Sequence, residues 1–432
     1  MSIILTPHEI KKSDADKAGG KGVALAEMSR RGFPVPRFIC ITTDAYTRYA
    51  TETGLRPRIE LELNRKDFHD MRWEEIWDAS LRIRNMFLRT QIPENLRQEI
   101  SDAYRSVFKG AAVVVRSSAP AEDTKESSFA GLHESYVNIR GEDAVLEHVK
   151  KVWASLWSDA ALLYRKELGL DVFKSSMAVI VQEIIDGDRS GVVFTKNPNE
   201  PVQGVIESVY GLNQGLVDGA IEPDRWFVDR SSREIVSHVP ATRENYIVSG
   251  TAGIRVESLP QAKAGYPPLN KMEVHDVFNT ALKSETLFNK PQDMEWTYRD
   301  DEFFVLQSRP ITAISENNDV SENDKRLWYL SLRRSLENLK KLRVKIEGDL
   351  IPAMIHSGEK LKQKDLATFT DEMLADEIQD RIKVHRKWVD VYWAEFIPFA
   401  HGARLFGKIY NERVRPEDPY EFVELLETSK LQ

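Results

Sequence analysis

Five side chains of kinds that handle phosphate or a hard cation lie far apart in this sequence: Lys21 in AGGKG, Arg116 in AVVVRSS, and Glu295, Gln307 and Arg309 in DMEWTYRDDEFFVLQSRP. AGGKG leads into a helical pattern, so it combines glycine amides that can approach a phosphate, a lysine and the positive end of a helix dipole. It lacks the wider glycine spacing and the following Ser or Thr of a P-loop, and alone it reads more readily as a glycine turn with a solvated lysine. Arg116 ends an apolar strand, where a guanidinium held by a rigid element could grip a phosphate through two parallel hydrogen bonds. The other reading pairs it with Glu122 or Asp123. The segment that follows carries Ser117, Ser118, Thr124, Ser127 and Ser128 and closes at Phe129, Ala130 and Gly131, the composition of a cover rather than of a packed turn.

In DMEWTYRDDEFFVLQSRP two short strands flank the turn residues RDD. Asp293 and Glu295 share one face of the first strand, and Gln307 and Arg309 share one face of the second. If the faces coincide, carboxylate and amide oxygens stand beside an arginine, a donor set that suits Mg²⁺. If they do not, this is a hairpin with solvated charges. Glu207, in IESVYGLNQGLVDGAIEPD, sits on a strand before Gly211, Gly215 and Gly219, which suit backbone passing close to a ligand or simply a surface loop. None of the nine histidines has another three or four residues away. His133, nearest the serine-rich segment, reads as structural, and there is neither a nucleophile elbow nor a carboxylate pair of the glycosidase kind.

These residues need elements to hold them. VALAEMSRR, ending at Gly32, predicts a short helix, and FPVPRFICIT a proline-fixed turn entering a strand. Residues 72–108 read as helical. From 145 to 168 the spacing of Val149, Val152, Trp153, Leu156, Ala160, Leu163 and Tyr164 predicts one long amphipathic helix with a single buried face. Between 177 and 310 short apolar runs separated by Gly, Asn, Asp and Pro predict a sheet-rich half. SENNDVSENDK at 315–325 reads as a linker, after which Leu332, Leu336, Leu339, Ile346 and Leu350 open an all-helical segment divided by Pro352, Pro398, Pro416 and Pro419.

The chain has 432 residues, enough for two or three domains. Its 60 basic and 68 acidic residues are interspersed, giving a formal charge of -8 and no footprint for nucleic acid or an anionic membrane. The single cysteine, Cys40, permits no intrachain disulfide and no cysteine-clustered zinc site. With neither an export signal nor an apolar run long enough to span a bilayer, the sequence predicts a cytoplasmic protein with no membrane partner.

Taken in order, AGGKG, VPRFICITTDAY, VVVRSSAPAEDTKESSFAGLHESYVNI, GVVFTKNP, YGLNQGLVDGAIEPD, MEW and VLQSRPIT closely resemble the nucleotide-binding portion of the phosphoenolpyruvate synthase and pyruvate phosphate dikinase family over residues 16–313. Seven ordered motifs are far more specific than any one. The resemblance implies an α+β chain: an ATP-grasp fold of two subdomains, 1–189 and 190–314, then the linker 315–325 and a helical connector, 326–432. It implies ATP and Mg²⁺ as cofactors. Lys21, Arg116 and Arg309 match the family's catalytic phosphate-binding cations, and Glu295 and Gln307 its metal ligands. Gln182, Glu183 and Ile185 match its adenine-binding strand, Glu207 its ribose-contacting acid, and the segment from Ser117 through Thr124 to Gly131 its phosphate cover. His133 stands where the family commonly has glutamine.

Enzymes of this family phosphorylate a histidine on a swivelling domain, in a motif resembling GGxTSHAA, and this sequence contains no such motif. YNERVRPEDPYEFVELL resembles the connector preceding that domain in the rifampin- and phenol-phosphorylating members. The expectation is therefore an ATP-binding subunit, as in the phenylphosphate synthase type, serving a histidine-bearing partner domain or chain and a small-molecule acceptor bound elsewhere. The alternatives are the N-terminal fragment of a pyruvate-using synthase and a non-catalytic ATP-sensing module.

Overall fold

The computed structural model describes residues 2–120, 134–197, 200–217, 221–251, 253–311 and 342–428. It divides into two compact units, Met1–Asp319 and Val320–Gln432. The first unit mixes helices with two antiparallel sheets, the α+β class expected.

The first sheet contains β1 (Ile4–Leu5), β2 (Phe38–Ile41), β3 (Val113–Ser118), β4 (Ser135–Ile139) and β5 (Ala178–Glu183), in the spatial order β1-β2-β5-β3-β4. β5, the nearly wholly apolar run AVIVQE, is central because both its faces are buried. On one face Val113, Val115, Val179 and Val181 pack against helices centred on Trp153. That indole stacks on Tyr49 with centroids 5.1 Å apart and donates through Nε1 to the Met177 carbonyl at 3.2 Å. On the other face Ala178, Ile180, Phe38 and Cys40 receive Ala18, Leu25 and Ala26 of the helix Ala15–Arg30. Burial there pushes the Cys40 thiol pKa up, so this cysteine is a small core residue and not a thiolate.

The chain leaves β5 through residues 184–188 and enters β6 (Arg189–Phe194), followed by β7 (Gln203–Tyr210), β8 (Asp224–Asp229), β9 (Ile235–Val239), the separate hairpin β10 (Asn245–Ser249) and β11 (Ile254–Ser258), then β12 (Gln292–Arg299) and β13 (Glu302–Pro310). The second sheet runs β13-β12-β6-β7-β8-β9. The helix Lys271–Phe288 covers one face, placing Val274, Val277, Phe278 and Ala281 on Val193, Ile206, Met294 and Trp296. Its start is fixed by reciprocal bonds between Asn270 and Glu273, at 3.0 and 2.8 Å.

The continuous helix expected over 145–168 is two helices, Glu142–Ser155 and Asp159–Glu167. Ser158 caps the second by accepting from the Ala161 amide at 3.2 Å. The break turns the second helix, so Ala161 and Leu162 are buried in place of Ala160 and Leu163. The helix expected at VALAEMSRR restarts within AGGKG, after a break at Gly19, whose φ of 70° is non-helical and which separates it from a short helical stretch beginning at Ala15.

Within the second unit the described residues form the helices Ile351–Lys362, Asp371–Val391, Ile397–Val414 and Glu421–Thr428. Pro352 and Pro398 lie in the first turns of two of these, where a missing amide hydrogen costs no intrahelical bond. Each follows a five-residue π-helical segment, Ile346–Leu350 or Tyr392–Phe396, so the chain stays helical up to the proline. The linker at 315–325 and Leu332, Leu336 and Leu339 lie outside the described residues.

Replacing Trp153 with Ala removes both the stack and the centre of the first core. We expect a loss of about 3–5 kcal/mol in denaturant unfolding, with a smaller effect for Trp153→Phe.

Candidate functional site

Val113 and Val115 of β3 face the helical core, so alternation turns Val114, Arg116 and Ser118 to the opposite face. Against the end of β3 lies the glycine-rich turn. Ser118 Oγ donates to the Ala18 carbonyl at 2.7 Å and accepts from the Gly22 amide at 3.1 Å, pinning both ends of AGGKG. Gly19, inside the helix but at φ 70°, makes the kink between these bonds. A Cβ there would collide with the Ser118 carbonyl, so the turn requires glycine at that position. The kink directs Lys21 to the same strand end, with Nζ 3.5 Å from Ser117 Oγ.

The faces of the β12–β13 hairpin do coincide. Glu295 stands opposite Gln307 and Asp293 opposite Arg309, and directly opposed residues of an antiparallel pair leave the sheet on one side. A β-bulge follows: Trp296 pairs with Val305, which leaves Leu306 as the extra residue. The bulge frees the Leu306 carbonyl, and Arg116 reaches across from the first sheet to use it. Its Nη1 lies 3.4 Å from Leu306 O and its Nη2 donates to Glu295 Oε2 at 2.9 Å. Arg116 therefore pairs with Glu295, and Glu122 and Asp123 fall outside the described residues. Arg309 binds Asp293 Oδ2 through Nε and Nη2, both at 2.8 Å.

The pair is well sheltered, Arg116 being 14 % exposed and Glu295 16 %. Burial works to raise the Glu295 pKa, but the Arg116 guanidinium, and behind it Arg309 and Lys21, outweigh it and hold the carboxyl below the usual carboxylate range. Three cations supplied by a glycine turn, one sheet and the other sheet thus act on one carboxylate. Arg116 Nε is buried with no partner among the described residues. Gln307, 4 % exposed, makes no side-chain hydrogen bond among them either. Buried polar groups without partners are uncommon in folded proteins.

Gln182 lies on the same face of the first sheet as Arg116, opposite Val114, and is 1 % exposed with Nε2 unpartnered among the described residues. Glu183 points the other way, and its two oxygens each accept from Arg37 at 2.8 Å. That bond holds its carboxyl below the usual range and turns it toward Arg37, away from the face that carries Arg116. Ile185 is half-buried just beyond β5. Glu207 faces the site side of the second sheet in one row with Val192, Glu295 and Gln307. Ser117 is buried beside Lys21. Thr124, Ser127, Ser128, Gly131, His133 and Gly219 lie outside the described residues. Sequence reasoning did not single out the Leu306 carbonyl, the capping role of Ser118 or the Arg37–Glu183 clamp. Only Ser118 had a signal, a hydroxyl two residues beyond Arg116 and so on the same face of the strand. Among the described residues no group of three or more His, Cys, Asp or Glu side chains forms a metal cluster.

A lysine on a glycine turn, arginines from two sheets, and paired carboxylate and amide oxygens on one hairpin thus meet on an α+β framework. Residues 15–327 match the domain described as pyruvate phosphate dikinase, AMP/ATP-binding domain, and the chain belongs to that family. It is 36% identical over 324 residues to a probable phosphoenolpyruvate synthase of Methanocaldococcus jannaschii, covering 73% of this chain and 27% of the relative. It is 36% identical over 357 residues to the phosphoenolpyruvate synthase of Aeropyrum pernix, covering 74% of this chain and 43% of the relative. A rifampicin phosphotransferase of Streptomyces sviceus is 33% identical over 320 residues, covering 72% of this chain and 36% of the relative. The chain thus spans less than half the length of these relatives. Among the described residues no helix is long and apolar enough to cross a membrane.

Two outcomes test this geometry. Gly19→Ala places a side chain at positive φ against the Ser118 carbonyl, and should cost at least ~1–3 kcal/mol in thermal or denaturant unfolding. Because the Glu295 pKa is depressed in the folded state, its ionised form adds stability that is fully present above about pH 4.3 and fades as pH falls toward the folded value. The stability difference between wild type and Glu295→Gln, from urea unfolding, should therefore shrink on acidification below that pH. A difference independent of pH would contradict this electrostatic account.

Proposed function

We propose that this chain is the ATP-binding subunit of a dikinase-type phosphotransferase with an ATP-grasp fold. It passes a phosphoryl group from Mg-ATP to a histidine on a separate swivelling domain or partner chain, for delivery to a small-molecule acceptor. The observation that carries the reading is the convergence of Lys21, Arg116 and Arg309 on Glu295 beside Gln307. The single buried cysteine and the mixed surface charge support a cytoplasmic setting.

Lys21, Arg116 and Arg309 bind the phosphates, with Arg116 Nε and the glycine-turn amides as further donors. The donor set fits a divalent cation: Glu295 and Gln307 offer hard oxygens on one face, with Asp293 next to them, and the Gln307 amide has no other partner among the described residues. Mg²⁺ held there would neutralise charge on the phosphate oxygens. Gln182 Nε2 supplies an unused donor for an adenine ring, with Ile185 as apolar surface nearby. Glu207 lies two strands from Glu295 in the same row, about 10 Å away at ordinary strand spacing. That spacing matches the separation of sugar hydroxyls from the distal phosphates of a nucleoside triphosphate.

In the transfer step a phosphorus–oxygen bond of ATP breaks, its electron pair remaining on the leaving phosphate oxygen. A bond forms between phosphorus and an imidazole nitrogen of the partner histidine. Phosphoryl transfer is loose, so charge spreads over the transferring and leaving oxygens, and fixed cations stabilise it without a covalent residue from this chain. The strands and the pinned turn hold those cations in place before ATP arrives. The acceptor in this reading is a phenol or other alcohol, with pyruvate as the alternative; the relatives include proteins named phosphoenolpyruvate synthase and rifampicin phosphotransferase.

The chain should be incubated with histidine-bearing partner domains and ATP labelled separately at the β and γ positions. Label should reach the partner histidine, and Arg116→Ala should lower that transfer by about 10²–10³-fold while weakening ATP binding far less. An ATP sensor would bind nucleotide and give no transfer to lose. Efficient acceptor phosphorylation by this chain alone would contradict the proposed division of labour.

A further inference from the structure

The row of residues that holds Glu295 and Gln307 ends on β8 in a guanidinium that the reading above does not use. Arg225 stands opposite Glu207, Glu207 opposite Val192, and Val192 opposite Glu295. All therefore leave the sheet on one side. Ile206 and Trp226, the chain neighbours of Glu207 and Arg225, are buried on the other side under the helix Lys271–Phe288. Arg225 Nε donates to Glu207 Oε1. Arg225 is 49% exposed and Glu207 21%, so the pair sits at the open margin of the site face.

The form of this bond matters. Arg37 takes both oxygens of Glu183 in a fork, which turns the carboxylate toward Arg37 and ties both its oxygens there. Arg225 takes one oxygen of Glu207 from the side. Glu207 Oε2 makes no hydrogen bond among the described residues, so an oriented acceptor remains beside the row that carries the phosphate-handling groups. A carboxylate held in this way accepts from a hydroxyl at a smaller ordering cost than a freely rotating one.

We propose that Arg225 is a positioning residue that holds Glu207 for a sugar hydroxyl, so that the pair makes the site select ribonucleoside triphosphates over their deoxy counterparts. This rests on the reading of Glu207 as the sugar-contacting acid. A site that hydrogen-bonds a hydroxyl rejects an analogue lacking it, because the acceptor is left unpaired. At this half-exposed margin the discrimination should be about tenfold, below the factors seen in fully buried sites.

The test is calorimetric binding of Mg-ATP, Mg-2′-deoxyATP, Mg-3′-deoxyATP and inorganic tripolyphosphate to wild type, Arg225→Ala, Arg225→Lys and Glu207→Gln. Wild type should prefer ATP to at least one deoxy analogue by about tenfold. Arg225→Ala and Glu207→Gln should bring that ratio close to one, Arg225→Lys should recover part of it, and tripolyphosphate affinity should stay the same throughout. An unchanged ratio in Arg225→Ala, or a loss shared equally by tripolyphosphate, would overturn the proposal. Wild type that binds ATP without sugar preference overturns this inference alone, whereas wild type that binds no ATP overturns the functional reading beneath it.

Discussion

The contact on which the rest of the site depends is the one that Arg116 makes across the two sheets. Its guanidinium leaves β3, the strand beside the centre of the first sheet, and meets Glu295 and the Leu306 carbonyl on the second. Each end is fixed by something unrelated to the contact itself. Val113 and Val115 set which way Arg116 faces by burying themselves against the helical core. On the other side Met294 and Trp296 bury themselves under the helix Lys271–Phe288, which turns Glu295 outward, and the bulge at Leu306 exposes a carbonyl that regular pairing would have consumed. Core packing on the outer faces of both sheets thus determines the polar geometry between them.

Electrostatically the site is overbalanced toward positive charge. Asp293 is bound to Arg309 and Glu295 to Arg116, with Lys21 near enough to help lower the Glu295 pKa. Removing one member of a sheltered pair costs more than the pair adds to stability, because the remaining charge is left without compensation in a poor solvent. Such an arrangement is a weak stabiliser of the fold and a strong means of holding charged groups in fixed orientations. It suits a reaction whose catalytic demand is oriented charge rather than a nucleophile from the protein.

Much of this was legible in the residues. The phosphate-handling types at 21, 116, 295, 307 and 309 stand out because they interrupt strands or follow glycines, and the order of their motifs identifies the family. The alternation of DMEW and LQSR showed which residues share a face of each strand. It could not show that the faces coincide, since register depends on the turn and on the bulge at Leu306, and no residue in that stretch announces a bulge. Likewise QEII placed Gln182 and Glu183 side by side, but the fork from Arg37, 146 positions away in sequence, is what orients Glu183, while Gln182 is buried on the opposite face with Nε2 unpartnered among the described residues. The helix break at Ser158 is hidden for a simpler reason: the apolar spacing on both sides of it matches one helical repeat, and only the bond from the Ala161 amide to its hydroxyl reveals the cap.

On the proposed reading, the groups gathered around Glu295 form a cradle for the distal phosphates of a nucleotide. The decisive experiment is calorimetric titration of the wild-type chain with ATP, ADP and AMP, with and without Mg²⁺. Affinity should rise stepwise from AMP to ATP and should depend on Mg²⁺ only for the forms with distal phosphates. Equal affinity for AMP and ATP, indifferent to Mg²⁺, would contradict the account.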